Sequence, residues 1–141
     1  MTNLSPTPIK LACIIDDDDV YINLIKKVIN IRKLSENLLI FKNGREALRY
    51  FTPIIQEEDD KVFPEIILLD LNMPVMDGWR FLEEFTKIKT GKDVKTTLYI
   101  VSSSINPLDL ERAKEFSLVT DYLVKPVDLD EFEAIFVKSS A

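Results

Sequence analysis

Short, almost wholly apolar runs alternate along this chain with longer stretches in which apolar residues recur every three or four positions. The short runs are Lys10 to Ile15, Leu38 to Phe41, Glu65 to Leu69, Thr97 to Val101 and Tyr122 to Val124, and each reads as a strand. Helical spacing falls between and after them: Val20 to about Lys33, about 44 to 56, the stretch following Gly78, about 107 to 116, and the stretch following Asp128. Asn43 and Asp128 are placed to cap their helices, and Pro107 suits a first helical turn. Phe51, Ile55, Leu82, Phe85, Leu129, Phe132 and Phe136 are expected to face the core.

Strands without polar alternation are buried on both faces, so they belong to a parallel sheet with helices on either side. Strict alternation of strand and helix predicts an α/β fold with a doubly wound sheet. Right-handed crossovers fix most of the topology, and five strands in the order 2-1-3-4-5 are expected, with a switch point between strands one and three. Ligands and chemistry collect at the carboxyl edge of such a sheet.

Asp70 stands at that edge. It ends the run Ile66-Ile67-Leu68-Leu69 and precedes the loop Leu71-Asn72-Met73-Pro74. Asp16 and Asp17 end the neighbouring first strand, so the three carboxylates should converge. Carboxylates that close resist full ionisation, and a cation is expected among them. A hard divalent ion suits; Mg2+ tolerates one or two carboxylates plus waters and a phosphate. Asp18 and Asp19 read instead as a solvated helix N-terminus. Lys125, which ends strand five before Pro126, brings an ammonium to the same edge. Ser102 ends strand four and offers a hydroxyl, whereas Ser104 reads as part of a flexible turn. These parts suit phosphoryl transfer to a carboxylate nucleophile, where catalysis is mostly positioning and charge stabilisation.

Composition narrows the field. The 141 residues are 46% apolar, enough for one domain with its own core, expected over residues 9 to 138 behind a loose tail over residues 1 to 8. The formal charge is −6 and the Lys26-Lys27 pair stands alone, so direct nucleic-acid binding is disfavoured. Histidine is absent, which removes Ser-His and Cys-His catalysis and every His-containing metal site. The one cysteine, Cys13, sits in a strand as a small buried hydrophobe, in keeping with a reducing compartment. Apolar runs are too short to span a bilayer and no secretory signal is visible, so a cytoplasmic location and no membrane contact are expected.

The segments Cys13-Ile-Ile-Asp-Asp-Asp, Ile67-Leu-Leu-Asp-Leu-Asn-Met-Pro-Val-Met-Asp-Gly, Tyr99-Ile-Val-Ser-Ser and Asp121-Tyr-Leu-Val-Lys-Pro together resemble the receiver domains of two-component response regulators, close to the single-domain chemotaxis type. The resemblance covers about residues 9 to 138 and implies a flavodoxin-like fold. It further implies that Asp70 is the phosphoacceptor and that Asp17 and Asp70 bind Mg2+ directly. Asn72 would bind the ion through its backbone carbonyl and Asp16 mainly through water. Ser102 and Lys125 would contact the phosphoryl group, Tyr122 would turn inward when Ser102 moves, and Lys125-Pro126 would be a cis peptide. Ser102 stands where the family more often has threonine, and keeps the hydroxyl.

The expected function is a stand-alone phosphorylation switch that is not an enzyme on other substrates. A sensor histidine kinase or a phosphotransfer protein would supply phosphohistidine. The face made by the fourth helix, fifth strand and fifth helix would then bind an unknown downstream protein, with the chain a monomer or a phosphorylation-dependent homodimer. No output domain is expected after the last helix. Two rivals differ in class. A haloacid-dehalogenase-type phosphatase would need an acid/base where Asn72 stands. A phosphate-independent binding module of the same fold would bind no Mg2+.

Overall fold

The computed structural model describes residues 8–57, 63–92 and 94–140; all but the last residue of the expected N-terminal tail lie outside them. Five strands and five helices alternate. They are β1 (Ile9–Ile15), α1 (Asp19–Ile31), β2 (Ser35–Phe41), α2 (Gly44–Gln56), β3 (Ile66–Leu69), α3 (Gly78–Lys89), β4 (Thr97–Ser102), α4 (Pro107–Ala113), β5 (Val119–Val124) and α5 (Leu129–Ser140). The strands form one parallel sheet in the order β2-β1-β3-β4-β5. That is the doubly wound arrangement expected from the sequence, with β1 and β3 adjacent at the switch point.

Successive residues of the central strands point to opposite faces, and each face has its own core. Ala12, Ile14, Ile66, Leu68, Tyr99 and Val101 pack with Ile22, Ile25 and Ile29 of α1 and Phe132, Ile135 and Phe136 of α5. Cys13, Ile15, Ile67, Leu69, Leu98 and Ile100 pack with Phe51 of α2, and with Trp79, Phe81, Leu82 and Phe85 of α3. Phe51 is the centre of this second layer: its ring meets Phe41, Tyr50, Phe63 and Phe85 at centroid distances of 4.9 to 5.9 Å. Burial raises the Cys13 thiol far above its ordinary range, so it behaves as the expected inert hydrophobe.

The helices start where side chains take up orphan N–H groups. Asp18 accepts from Val20 and Tyr21, and Asn43 from Glu46, while Glu46 accepts in return from the Lys42 N–H. Asp77 caps α3, Asn106 precedes Pro107 as cap of α4, and Asp128 accepts from Glu131 at the start of α5.

The differences from expectation lie mainly at the sheet's edges. β2 begins at Ser35, not Leu38, and β5 at Val119, not Tyr122. Both are edge strands whose outer residues, such as Glu36, Thr120 and Asp121, are solvent-exposed, so they carry no apolar run there. α4 stops at Ala113 rather than running to Phe116, because Lys114, Glu115 and Phe116 donate to carbonyls three residues back and the chain tightens out of the α-helix. In α5, Leu129 is 39% exposed and Ile135 fills the core instead. No helix among the described residues is long and apolar enough to cross a membrane.

Truncating Phe51 removes the ring that joins α2, β2 and α3. Phe51→Ala is expected to cost about 3–5 kcal/mol in urea unfolding, a large share of the roughly 5–15 kcal/mol that holds a domain together. A loss below about 1 kcal/mol would show that this layer is not packed around Phe51.

Candidate functional site

Sheet register assembles the site. Ile15 of β1 pairs with Leu69 of β3, so the next residues along, Asp16 and Asp70, emerge side by side; the Asp70 N–H donates to the Ile15 carbonyl at 2.9 Å. Ser102 pairs with Val124, and the Lys125 N–H donates to the Ser102 carbonyl at 2.9 Å. Four strand ends thus deliver Asp16, Asp70, Ser102 and Lys125 to one edge. Asp17 follows Asp16 and is exposed.

One carboxylate oxygen from each of Asp16, Asp17 and Asp70 lies within 4.8 Å of the others. Asp16 and Asp70 are only 2% and 7% exposed, so water screens their charges poorly. Lys125 answers them, with its Nζ 2.8 Å from Asp16 Oδ2 and 3.8 Å from Asp70 Oδ2. The other Asp16 oxygen accepts from the Asp18 N–H at 2.9 Å. Asp70 Oδ1 accepts from the Leu71 N–H at 2.8 Å. Burial, and then the Asp16 charge, push the Asp70 carboxyl up to about 6, against the pull of Lys125 and the N–H groups of Leu71 and Asn72. One ammonium therefore leaves the cluster with excess negative charge. The three oxygens form a donor set that fits a hard divalent ion.

The loop after Asp70 is held tightly. A Cβ on Gly78 would sit 2.4 Å from the Asp70 carbonyl oxygen and 2.9 Å from Leu71 Cα, so only glycine lets α3 start this close to Asp70. Asn72 is exposed in that loop. Val75 takes φ +68, a strained conformation for a β-branched residue, and the Met76 N–H bridges it by donating to the Pro74 carbonyl at 2.7 Å. The Lys125-Pro126 bond on the opposite side is cis.

Ser104, read from the sequence as a flexible turn, is instead a hydrogen-bond node. Its N–H donates to Ser102 Oγ at 3.1 Å and its carbonyl accepts from the Tyr122 hydroxyl at 2.9 Å. Its own hydroxyl donates to Asp109 at 2.6 Å and accepts from the Asn106 N–H. Ser102 is fully buried and Tyr122 half-buried against the second core layer. Tyr21 is not among the residues that the sequence points to, yet its ring lies under the Lys125 ammonium at 4.2 Å. Burial, then the charges of Asp16 and Asp70, push its phenol well up. Its place one turn into α1, three residues after the capping Asp18, was the available signal.

The family model for the response regulator receiver domain matches residues 12–136. The regulatory protein AtoC of Escherichia coli is 30% identical over 131 residues, which is 92% of this chain but only 25% of AtoC. Response regulator Rcp1 of Synechocystis sp. is 28% identical over 125 residues, 88% of this chain and 82% of Rcp1. The receiver domain of sensor histidine kinase PA1611 from Pseudomonas aeruginosa, solved with a magnesium ion coordinated in its active site cleft, is 18% identical. It superimposes with TM-score 0.74 over 94% of this chain and 98% of that one, and so shares the fold.

Because folded Asp70 keeps its proton to about pH 6 while an unfolded aspartate releases it near 4, metal-free protein loses stability as pH rises between those values. Asp70→Asn removes that loss. Without divalent ions at pH 7.5 it is expected to be about 1–3 kcal/mol more stable than wild type, with the gain vanishing toward pH 4. A less stable Asp70→Asn protein at pH 7.5 would contradict the crowding of these carboxylates.

Proposed function

Since the chain belongs to the response regulator receiver domain family, we propose that it is a phosphorylation switch whose acceptor is Asp70. The observation that carries this reading is the placement of the Asp70 carboxylate, buried at a strand end beside Asp16, Asp17 and the Lys125 ammonium. The donor is a phosphohistidine on a sensor histidine kinase or a phosphotransfer protein. An Asp70 carboxylate oxygen attacks phosphorus, the P–N bond breaks, and the departing imidazole takes up a proton from water. Good leaving-group chemistry on the donor means that the chain itself needs no general acid.

Lys125 and the Ser102 hydroxyl hold the equatorial oxygens of the transferred group, with the N–H groups of the loop after Asp70. Mg2+ would be held by Asp17 and Asp70 directly, by Asp16 mainly through water, and by the Asn72 carbonyl. It would supply charge neutralisation at the phosphoryl oxygens. Outside this transfer and the slow hydrolysis of its own acyl phosphate, the chain turns over no substrate.

The switch runs through Ser104. In the structure Ser102 Oγ accepts from the Ser104 N–H, and Tyr122 holds the Ser104 carbonyl. A phosphoryl group on Asp70, adding about two negative charges, attracts the Ser102 hydroxyl, frees the loop before α4 and lets Tyr122 turn inward. Exposed Leu108 on α4 and Val124 on β5 then belong to a remodelled α4-β5-α5 face. That face binds a downstream protein or a second copy of the chain.

Incubation with acetyl phosphate and Mg2+ is expected to label wild-type protein once, and the label on Asp70 is located by peptide mass mapping. Asp70→Asn is expected to take no label and Lys125→Ala to take it at least about tenfold more slowly, as fits loss of a buried charge contact. Full labelling of Asp70→Asn would overturn the assignment.

A further inference from the structure

The Lys125 ammonium has three N–H directions to satisfy. One goes to Asp16 Oδ2 at 2.8 Å and one toward Asp70 Oδ2 at 3.8 Å. The third side is closed by the face of Tyr21, whose ring centroid is 4.2 Å from Nζ. An aromatic face attracts an ammonium through its quadrupole, most strongly where water is scarce, and the Lys125 side chain is only 16% exposed. Lysine is a point charge on a flexible four-carbon stem. Such a stem holds one rotamer only where its surroundings fix it, and the ring is one wall of those surroundings.

The hydroxyl of Tyr21 takes no part in this. Its oxygen is buried and has no hydrogen-bond partner among the described residues. A buried unpartnered hydroxyl lowers stability, and phenylalanine would fill the same space without it. The useful part of Tyr21 is therefore its ring face.

We propose that Tyr21 is a positioning residue for phosphoryl transfer: its ring fixes the Lys125 ammonium between Asp16 and Asp70. This rests on the proposed function for its kinetic consequence, though not for the contact itself. A lysine already aimed at the acceptor loses little freedom when the phosphoryl group arrives, so the ring raises the rate of transfer without touching the reacting atoms. Tyr21→Phe keeps the face; Tyr21→Leu keeps apolar bulk and loses it.

The test combines initial phosphorylation rates with acetyl phosphate and proton NMR of the Lys125 ε-methylene group. Tyr21→Phe is expected to stay within about twofold of wild type and to melt at a higher temperature. Tyr21→Leu should be about fivefold slower, the size of one partly buried cation–π contact. In a Lys125→Met background, Tyr21→Leu should slow the reaction no further, since the ring acts through the lysine. The ε-methylene protons should be shifted upfield by ring current in wild type and Tyr21→Phe, and not in Tyr21→Leu. Wild-type rates in Tyr21→Leu, an equal slowing in the Lys125→Met background, or no ring-current shift in wild type would overturn the proposal. If wild type takes no label yet shows the shift, the proposed function fails and the positioning of Lys125 by Tyr21 stands.

Discussion

One ammonium between two buried carboxylates is the constraint on which the rest of this site depends. Removing carboxylates from water costs several kcal/mol per ion, and the register of β1 with β3 forces Asp16 and Asp70 together whatever that cost. Lys125 arrives from β5, two strands away from β3, and meets both. Its single charge offsets part of the repulsion, and Asp70 is still pushed up to about 6. The residual negative charge suits the cluster to a divalent ion.

Such a cluster persists only in a frame that cannot relax away from it. The two apolar layers on either face of the sheet provide that frame by packing the strands that carry the site. Close approach at Gly78 pins the start of α3 against the backbone of Asp70 and Leu71. The strained turn at Val75 lies in the same connection and is held from both ends. Across the site the loop before α4 is held by hydrogen bonds through Ser104, and Ile105 and Leu108 beside it face solvent. The proposed switch would draw on both, a rigid side at Asp70 and a lightly held side before α4.

Much of this was legible in the sequence. The central strands carry unbroken apolar runs because both of their faces are buried, and that pattern marks the parallel sheet and the strand ends where Asp16, Asp70 and Ser102 sit; alternation and crossover handedness lead to the order, and Lys125 is marked by the short run that ends β5. The edge strands look shorter in the sequence than they are because Glu36, Thr120 and Asp121 face water and interrupt the pattern. Ser104 reads as a loose turn because a serine in a Ser-Ser-Ser run has that composition; its bonds to Ser102, Tyr122 and Asp109 join residues up to eighteen positions apart. Tyr21 is hidden in the sequence for the same reason. Its partner Lys125 lies on the far side of the chain's connectivity, and no local pattern links them. The tie of α4 to α3, where Arg112 lies over the Trp79 ring at 4.5 Å and reaches Glu83, is equally nonlocal.

The most direct measurement is Mg2+ binding to the unphosphorylated protein by titration calorimetry, with thermal melting in parallel. One saturable site is expected in wild type, with a melting temperature that rises with Mg2+ as linkage requires, and both effects should be lost in Asp17→Asn. A melting temperature that ignores millimolar Mg2+, or binding left intact in Asp17→Asn, would contradict a metal-competent cluster of Asp16, Asp17 and Asp70.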